Sequence, residues 1–160
     1  MNDSNFTLTI AVEQSPEAAY DAINNPRGWW SEDLVGDTDS QGATFVYRYK
    51  DIHRCTMRIT ELVPGARVEW EVASNYFNFT RDETEWTGTR IVFDISRAGD
   101  ETLVRFTHVG LTAADECYDA CSQGWGMYIG QSLRRLIAEG KGMPNVGEPM
   151  TEKERALTAV

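Results

Sequence analysis

The strongest pattern in the sequence is an amphipathic helix over residues 122–139, SQGWGMYIGQSLRRLIAE. Its apolar side chains recur every three or four positions, which places them on one face of an α-helix. That face comprises Trp125, Tyr128 or Ile129, Leu133, Leu136 and Ile137. Gly140 and Pro144 follow, and they predict that the helix ends there. A long helix with one apolar face needs a second layer to cover it, and the preceding sequence predicts a sheet.

Alternation of apolar and polar residues predicts strands in most of the chain before this helix. The alternating segments are 6–12, 45–49, 55–59, 68–72, 91–95 and 104–108, with a short additional one at 76–79. The strands within 45–72 form an antiparallel meander with one apolar and one charged face, since Pro64 and Gly65 predict a tight turn. Trp86 has the opposite parity from Ile91 and is predicted to face outward, unless the chain bulges between them.

Two short helices are predicted between the first two strands. Ser15 is a typical helix cap, and Pro16 is well suited to the first helical position. A second short turn of helix is predicted at 27–30. Because neighbouring residues of a helix point in different directions, only one of Trp29 and Trp30 is expected to lie in the core.

The domain organisation follows from these elements. Residues 1–140 are predicted to form a single domain, and residues 141–160 a polar C-terminal tail that is mobile or loosely docked. Within the tail, Thr151 could cap one short helix. Thr112 and Asp115 resemble a capping box and predict another helical start before the long helix.

Composition excludes several classes of function. The 160 residues carry a formal net charge of −10, whereas binding to nucleic acid or to anionic membranes needs clustered Lys and Arg. No apolar run approaches the roughly 20 residues of a transmembrane helix. The N-terminus, MNDSNFTLTI, lacks the basic and apolar regions of a signal peptide. We therefore expect neither a nucleic-acid nor a membrane partner, and a cytoplasmic location.

Several short motifs, in this order along the chain, resemble a known superfamily. They are SPEAAY from Ser15, PRGWW from Pro26, EWTGT from Glu85, FTHVGL from Phe106, and Gly124-Trp125 leading to Ser132, Leu133 and Leu136. Over roughly residues 6–140, the chain resembles the START-like, helix-grip superfamily (SRPBCC), which is related to the birch-pollen allergen fold. Within it, the chain is most similar to bacterial single-domain relatives of the activator of the heat-shock-protein-90 ATPase.

The resemblance implies an α+β helix-grip fold. A curved, six- or seven-stranded antiparallel sheet wraps round the long C-terminal helix, with the two short helices between the first two strands. The resemblance also implies a cavity between helix and sheet. Some relatives bind apolar small molecules there, a few are enzymes, and the eukaryotic two-domain members work as co-chaperones.

The residues predicted to face this cavity are candidates for ligand binding. They are Phe45, Tyr47, Met57, Trp70, Phe77, Phe93, Phe106, His108, Trp125 and Ile129. Each apolar one could instead fill the core, because protein interiors are close-packed. Taken together, they predict space for a ligand, since a curved sheet covered by a single helix leaves volume to be filled. Ligand pockets are typically about 300–1,000 Å³ and mostly apolar.

No residue pattern in the sequence indicates a catalytic site, a cofactor site or a metal site. His108 shares parity with Phe106, so it could bind a ligand or act as a general base, or it could be a hydrogen-bonded structural histidine. Cys117 and Cys121 are four residues apart, but a zinc site needs four ligands and the fourth is not evident. We therefore predict no catalytic residue, no metal and no cofactor.

The leading functional hypothesis is binding of an apolar or amphipathic small molecule between the long helix and the sheet. The first alternative is an interaction module that works on a chaperone through its acidic surface. A third hypothesis is a small hydrolase or cyclase that uses His108. The sequence allows a monomer or a homodimer.

Overall fold

The computed structural model of the protein describes residues 5–146 and 151–158. The strands are β1 (Phe6–Val12), β2 (Val35–Gly36), β3 (Thr44–Tyr49), β4 (His53–Val63), β5 (Arg67–Phe77), β6 (Arg90–Ala98) and β7 (Glu101–Val109). The helices are α1 (Pro16–Ile23), a 3₁₀ turn (Pro26–Gly28), α2 (Tyr118–Met127), a π-helical segment (Tyr128–Leu133), α3 (Arg134–Glu139) and α4 (Glu152–Thr158). None of these described helices is long and apolar enough to cross a membrane.

All the strands form one antiparallel sheet of seven strands in the order β1-β7-β6-β5-β4-β3-β2. The predicted meander is confirmed. Of the short strand predicted at 76–79, only residues 76–77 are extended, as the end of β5, and residues 78–79 form a bend. Register shifts between β4 and β5 follow Thr56 and Ile59. Such irregularities increase the local bend of a sheet. The α+β helix-grip fold expected from the sequence is confirmed.

The two short helices between the first two strands are also confirmed. The Ala18 amide donates to Ser15 Oγ at 3.1 Å, so Ser15 is the helix cap that the sequence predicts. Helix α1 buries Ala19 and Ile23 completely. It therefore anchors the connection from β1 to β2 on the core.

The long helix runs over residues 118–139 and consists of α2, the π-helical segment and α3. It begins at Tyr118, four residues before the start predicted at residue 122. The separate helical start predicted at Thr112 is wrong, since residues 113–117 form turns and a bend. It ends at Gly140, whose φ of 81° is a left-handed cap. In the π-helical segment each turn holds an additional residue. Tyr128 and Ile129 are consequently both buried, although the sequence pattern left open which of the two faces the core.

The outer face of the sheet is charged, as the alternation predicts. Arg67, the first residue of β5, donates to Glu61 at 2.7 Å, to Glu69 at 2.9 Å and to Asp94 at 2.6 Å. Because these side chains are partly exposed, their ion pairs contribute modestly to stability. This face remains in contact with solvent while the long helix covers the opposite one.

The start of the predicted C-terminal tail is docked more closely than the sequence indicates. The Asn145 amide donates to the Trp30 carbonyl at 2.8 Å, and the Met143 amide donates to Ser132 Oγ at 2.7 Å. Farther along, the Glu154 amide donates to Thr151 Oγ1 at 3.1 Å, which confirms the predicted cap of α4. Residues 147–150 and 159–160 of the predicted tail lie outside the described residues.

Candidate functional site

Aromatic rings occupy most of the space between the sheet and the long helix. Trp29 and Trp30 stack with ring centroids 6.2 Å apart, and Trp29 also stacks on Trp70 at 6.3 Å. Trp30 stacks on Tyr47 at 4.3 Å. The expectation that only one of the adjacent tryptophans lies in the core is wrong, because both are buried. They follow the short 3₁₀ turn and are not part of a regular helix, so helical side-chain directions do not apply to them.

Six of the predicted site residues pack in the core. Phe45, Met57, Trp70, Phe93, Phe106 and Ile129 are completely buried. Trp70 shows how tightly they fit, since its ring contacts Phe45 with centroids 5.0 Å apart and Phe93 at 5.2 Å. These six side chains fill the middle of the structure, whereas Tyr47, Phe77 and Trp125 border a pocket at one end of it.

This pocket, which we call the α2 pocket, opens between α2, α4, the β3–β4 turn and the end of β5. It is lined by Trp30, Tyr47, Tyr49, Ile52, His53, Phe77, Phe79, Trp86, Ala120, Cys121, Gly124, Trp125, Tyr128 and Glu154. Its volume is about 60 Å³. Pockets for drug-sized ligands are typically about 300–1,000 Å³, so the rings leave much less room than the sequence led us to expect.

His53 is a pocket residue that the sequence reasoning missed. Its ring lies among aromatic rings, with centroids 4.5 Å from Phe77, 4.6 Å from Trp86 and 5.1 Å from Tyr47. The side chain is half-buried, but its Nε2 is shielded from solvent and has no hydrogen-bond partner. Burial lowers the pKa of His53 to about 3, with a smaller contribution from His108. His53 is therefore neutral and keeps an unused polar atom in an apolar environment.

Gly124 forms a bare part of the pocket wall on α2. A methyl group at its Cβ position would meet no atom within 4 Å, so the helix backbone there borders open space. Gly126 is also surrounded by open space but does not line the pocket. The two glycines were visible in the sequence, and only the structure shows that one of them borders the cavity.

His108 lies behind the pocket wall and uses both ring nitrogens. Trp125 Nε1 donates to His108 Nδ1 at 3.1 Å. Thr89 Oγ1 donates its proton to the Trp86 carbonyl at 2.6 Å, so at 2.8 Å it accepts from His108 Nε2. This series of hydrogen bonds requires a neutral histidine with its proton on Nε2. In agreement, burial lowers the pKa of His108 to about 3. Of the roles considered from the sequence, this geometry matches that of a hydrogen-bonded structural histidine, because neither ring nitrogen of His108 is left to accept a proton from a substrate.

Trp86 faces inward, contrary to the parity argument. It is 4% exposed and stacks on Trp125 with centroids 5.7 Å apart. Strand β6 begins only at Arg90, and residues 78–89 form a loop. Alternation along β6 therefore does not extend back to Trp86.

Glu85 fixes the loop that carries Trp86. Its carboxylate accepts from the amides of Glu116 at 2.8 Å and Cys117 at 3.0 Å, just before α2 begins. In return, the Glu116 carboxylate accepts from the Arg81 amide at 2.9 Å. The loop and the start of α2 are thus held together, and they position the two halves of the pocket wall.

The rim of the pocket is formed by Tyr128 and by Glu154 of α4. Tyr128 Oη accepts from Asn145 Nδ2 at 3.0 Å and donates to Glu154 Oε2 at 3.4 Å. Burial raises the pKa of both Tyr47 and Tyr128, and the negative charge of Glu154 raises both further. Glu154 is the one carboxylate among the described lining residues.

The cysteines of the described residues are buried and lie in no cluster of three metal-ligating side chains. Cys117 and Cys121 are buried free thiols. Burial, assisted by a hydrogen bond with Cys117, raises the pKa of the Cys121 thiol, which disfavours the nucleophilic thiolate. Within residues 5–146 and 151–158, no three metal-ligating side chains come together.

Known proteins share this fold and part of this sequence. The family model described as Activator of Hsp90 ATPase homolog 1-like protein matches residues 13–138. The solution structure of the Aha1 dimer from Colwellia psychrerythraea is 27% identical, with a TM-score of 0.70 over 87% of this chain and 99% of that chain. No curated protein matches the sequence.

Two more distant structures show the fold alone. CalU16 from Micromonospora echinospora is 18% identical, with a TM-score of 0.61 over 93% of this chain and 78% of that chain. DynU16, from the dynemicin biosynthetic locus, is 13% identical, with a TM-score of 0.65 over 88% of this chain and 49% of that chain. Their identities are too low to carry a function across.

The family match covers most of the fold described above. It begins just after β1 and ends within α3. It therefore confirms the resemblance that the sequence motifs indicate. The chain belongs to the family of Activator of Hsp90 ATPase homolog 1-like proteins.

Proposed function

We propose that the protein binds a small apolar molecule in the α2 pocket. The observation that carries this proposal is an open, mostly aromatic space in an otherwise closely packed interior. One side of that space is the bare backbone at Gly124, and one of its polar atoms, His53 Nε2, has no partner. An unsatisfied buried polar group costs about 1–3 kcal/mol, which a ligand hydroxyl could recover. A hydroxyl both donates and accepts, so it suits either tautomer of His53.

The pocket limits the size of the ligand. A water needs about 10–15 Å³ of such space, so the volume of about 60 Å³ corresponds to roughly four to six non-hydrogen atoms. A small branched alcohol fits this limit. Sterols and fatty acids, which the sequence left open as ligands, are much larger and would need α4 to move away from the rim.

Filling the pocket at Gly124 is expected to abolish binding. We expect tert-butyl alcohol, with five non-hydrogen atoms, to shift the indole N–H resonances of Trp30, Trp86 and Trp125, which line the pocket. The resonances of Trp29 and Trp70, which lie in the core, serve as an internal reference. No atom lies within 4 Å of a Cβ placed at Gly124, so the Gly124→Leu side chain would fill the pocket space that the alcohol otherwise occupies.

Gly126→Leu is the matched control. Gly126 lies on the same helix, has similarly open surroundings and does not border the pocket. Both variants gain helix propensity to a similar degree, so a change in helix stability affects them alike. Wild-type protein whose three pocket resonances do not respond to the alcohol would contradict the proposal. Equal loss of binding in both variants would show that the effect does not come from the pocket.

Stimulation of a heat-shock-protein-90-type ATPase is the second candidate function. It is supported by the family match over residues 13–138 and by the identity of 27% to the Colwellia Aha1 protein over nearly its whole length. We expect the bacterial homologue of heat-shock protein 90 to hydrolyse ATP faster when this protein is added. Unchanged turnover at saturating protein would remove this candidate. The Colwellia structure is a dimer, which supports a homodimer for this protein. Light scattering on the protein used in the ATPase assay measures the mass of the assembly.

A further inference from the structure

The described residues that line the α2 pocket supply a negative charge and no positive one. Glu154 supplies a carboxylate at the rim, within 3.4 Å of the Tyr128 hydroxyl. The described lining residues include no lysine or arginine, and His53 is neutral because burial lowers its pKa to about 3. The chain as a whole carries a net charge of −10. A positive charge inside the pocket would therefore be attracted, and a negative charge would be repelled.

Aromatic rings approach the same space from several sides. Trp86 and Trp125 stand parallel with centroids 5.7 Å apart, and Trp30 and Tyr47 form a second stack at 4.3 Å. All four rings, together with Phe77, line the pocket. The electron-rich faces of aromatic rings attract cations, most strongly where water is excluded.

Glu154 lines the pocket, and its Oε2 lies 3.4 Å from the Tyr128 hydroxyl, so its charge stands close to the tyrosines of the pocket wall. Burial is the main reason why the pKa of Tyr47 is raised, and the charge of Glu154 raises it further. The same two influences act on Tyr128. A field that opposes the formation of phenolate at these positions also favours a cation between them.

We propose that the α2 pocket selects a small organic cation of the alkylammonium class over a neutral molecule of the same shape. This inference rests on the proposed function, because it concerns the ligand of the same pocket. The size of the pocket agrees with it, since tetramethylammonium has five non-hydrogen atoms and the pocket has room for roughly four to six. The alkylammonium group presents only C–H groups to the aromatic rings, and the carboxylate of Glu154, which accepts from the Tyr128 hydroxyl, lies at the rim of the same pocket.

The test compares tetramethylammonium with tert-butyl alcohol, which is equally large and uncharged. Both are titrated into the full chain, and binding is followed by the indole resonances of Trp30, Trp86 and Trp125. We expect tetramethylammonium to bind about tenfold more tightly than the alcohol. In Glu154→Gln, this preference is expected to fall to about threefold or less, because only the cation–π attraction remains.

Glu152→Gln is the matched control. Glu152 is exposed on the same helix α4 and does not line the pocket, so its removal changes the net charge equally and leaves the preference near its wild-type value. Equal affinity of wild-type protein for the two compounds would overturn the cation inference while leaving pocket binding intact. A preference that Glu154→Gln does not reduce would also overturn it. Absence of binding by both compounds would instead contradict the proposed function itself.

Discussion

Trp70→Ala is expected to lower the free energy of unfolding by about 4 kcal/mol, because it empties the centre of the aromatic core. Trp70 lies in the middle of β5 and is completely buried. Its ring contacts Trp29, Phe45 and Phe93, which come from three other elements of the fold. Phe45 and Phe93 are held by their own strands, and the Trp29 carbonyl accepts from Ser132 Oγ at 2.7 Å, so these neighbours cannot collapse into the cavity. Urea denaturation followed by circular dichroism measures the loss.

Trp70→Phe provides the matched comparison. The indole Nε1 of Trp70 is buried without a hydrogen-bond partner, so phenylalanine removes an unsatisfied donor together with part of the ring. We expect this variant to lose less than half as much stability as the alanine variant. A loss below about 1 kcal/mol for Trp70→Ala would contradict the rigid packing described here.

Acidification from pH 7.5 to pH 5.0 is expected to lower the free energy of unfolding by about 4 kcal/mol, roughly 2 kcal/mol for each of two buried histidines. Burial lowers the pKa of both His53 and His108 from 6.5 to about 3. The unfolded chain therefore binds more protons than the folded protein between these values. The contribution of the two neutral histidines to stability is fully present above about pH 6.5 and is lost as the pH falls towards 3. Denaturation curves at several pH values measure this slope.

His53→Leu tests the assignment of this pH dependence. The variant retains His108 and an apolar side chain in the pocket wall, so the loss between pH 7.5 and pH 5.0 is expected to fall to about 2 kcal/mol. Val46→Ala, on the exposed outer face of β3, should keep the wild-type slope. Equal stability of the wild-type protein at both pH values would show that neither histidine is held neutral.

The direction of most core side chains could be predicted from the sequence. Alternation in β3 placed Phe45 and Tyr47 on the buried face, and helical spacing did the same for Trp125 and Leu133. These predictions succeeded because direction within a strand or helix is a local property with a fixed period. The same reasoning failed for Trp86, since it lies in a loop where no period applies.

The size of the cavity could not be predicted in the same way. Its volume depends on rings from elements far apart in the sequence, and Trp29 and Trp30 contribute two rings where one was expected. His53 lies outside the alternating segment predicted at 55–59, although it is the first residue of β4 and shares the inward parity of Cys55. Periodicity indicates which side chains point inward, whereas the gap that they leave depends on their summed volumes.

The pairing of β1 with β7 has a consequence for how the protein is made in the cell. Phe6 pairs with His108, so the first strand has no partner until about a hundred further residues exist. At a synthesis rate of about 5–20 residues per second, this delay is roughly 5–20 s. During that time the ribosome-bound chain exposes an unpaired strand of alternating apolar residues. We expect the emerging polypeptide to depend on protection at the ribosomal exit until β7 has been translated.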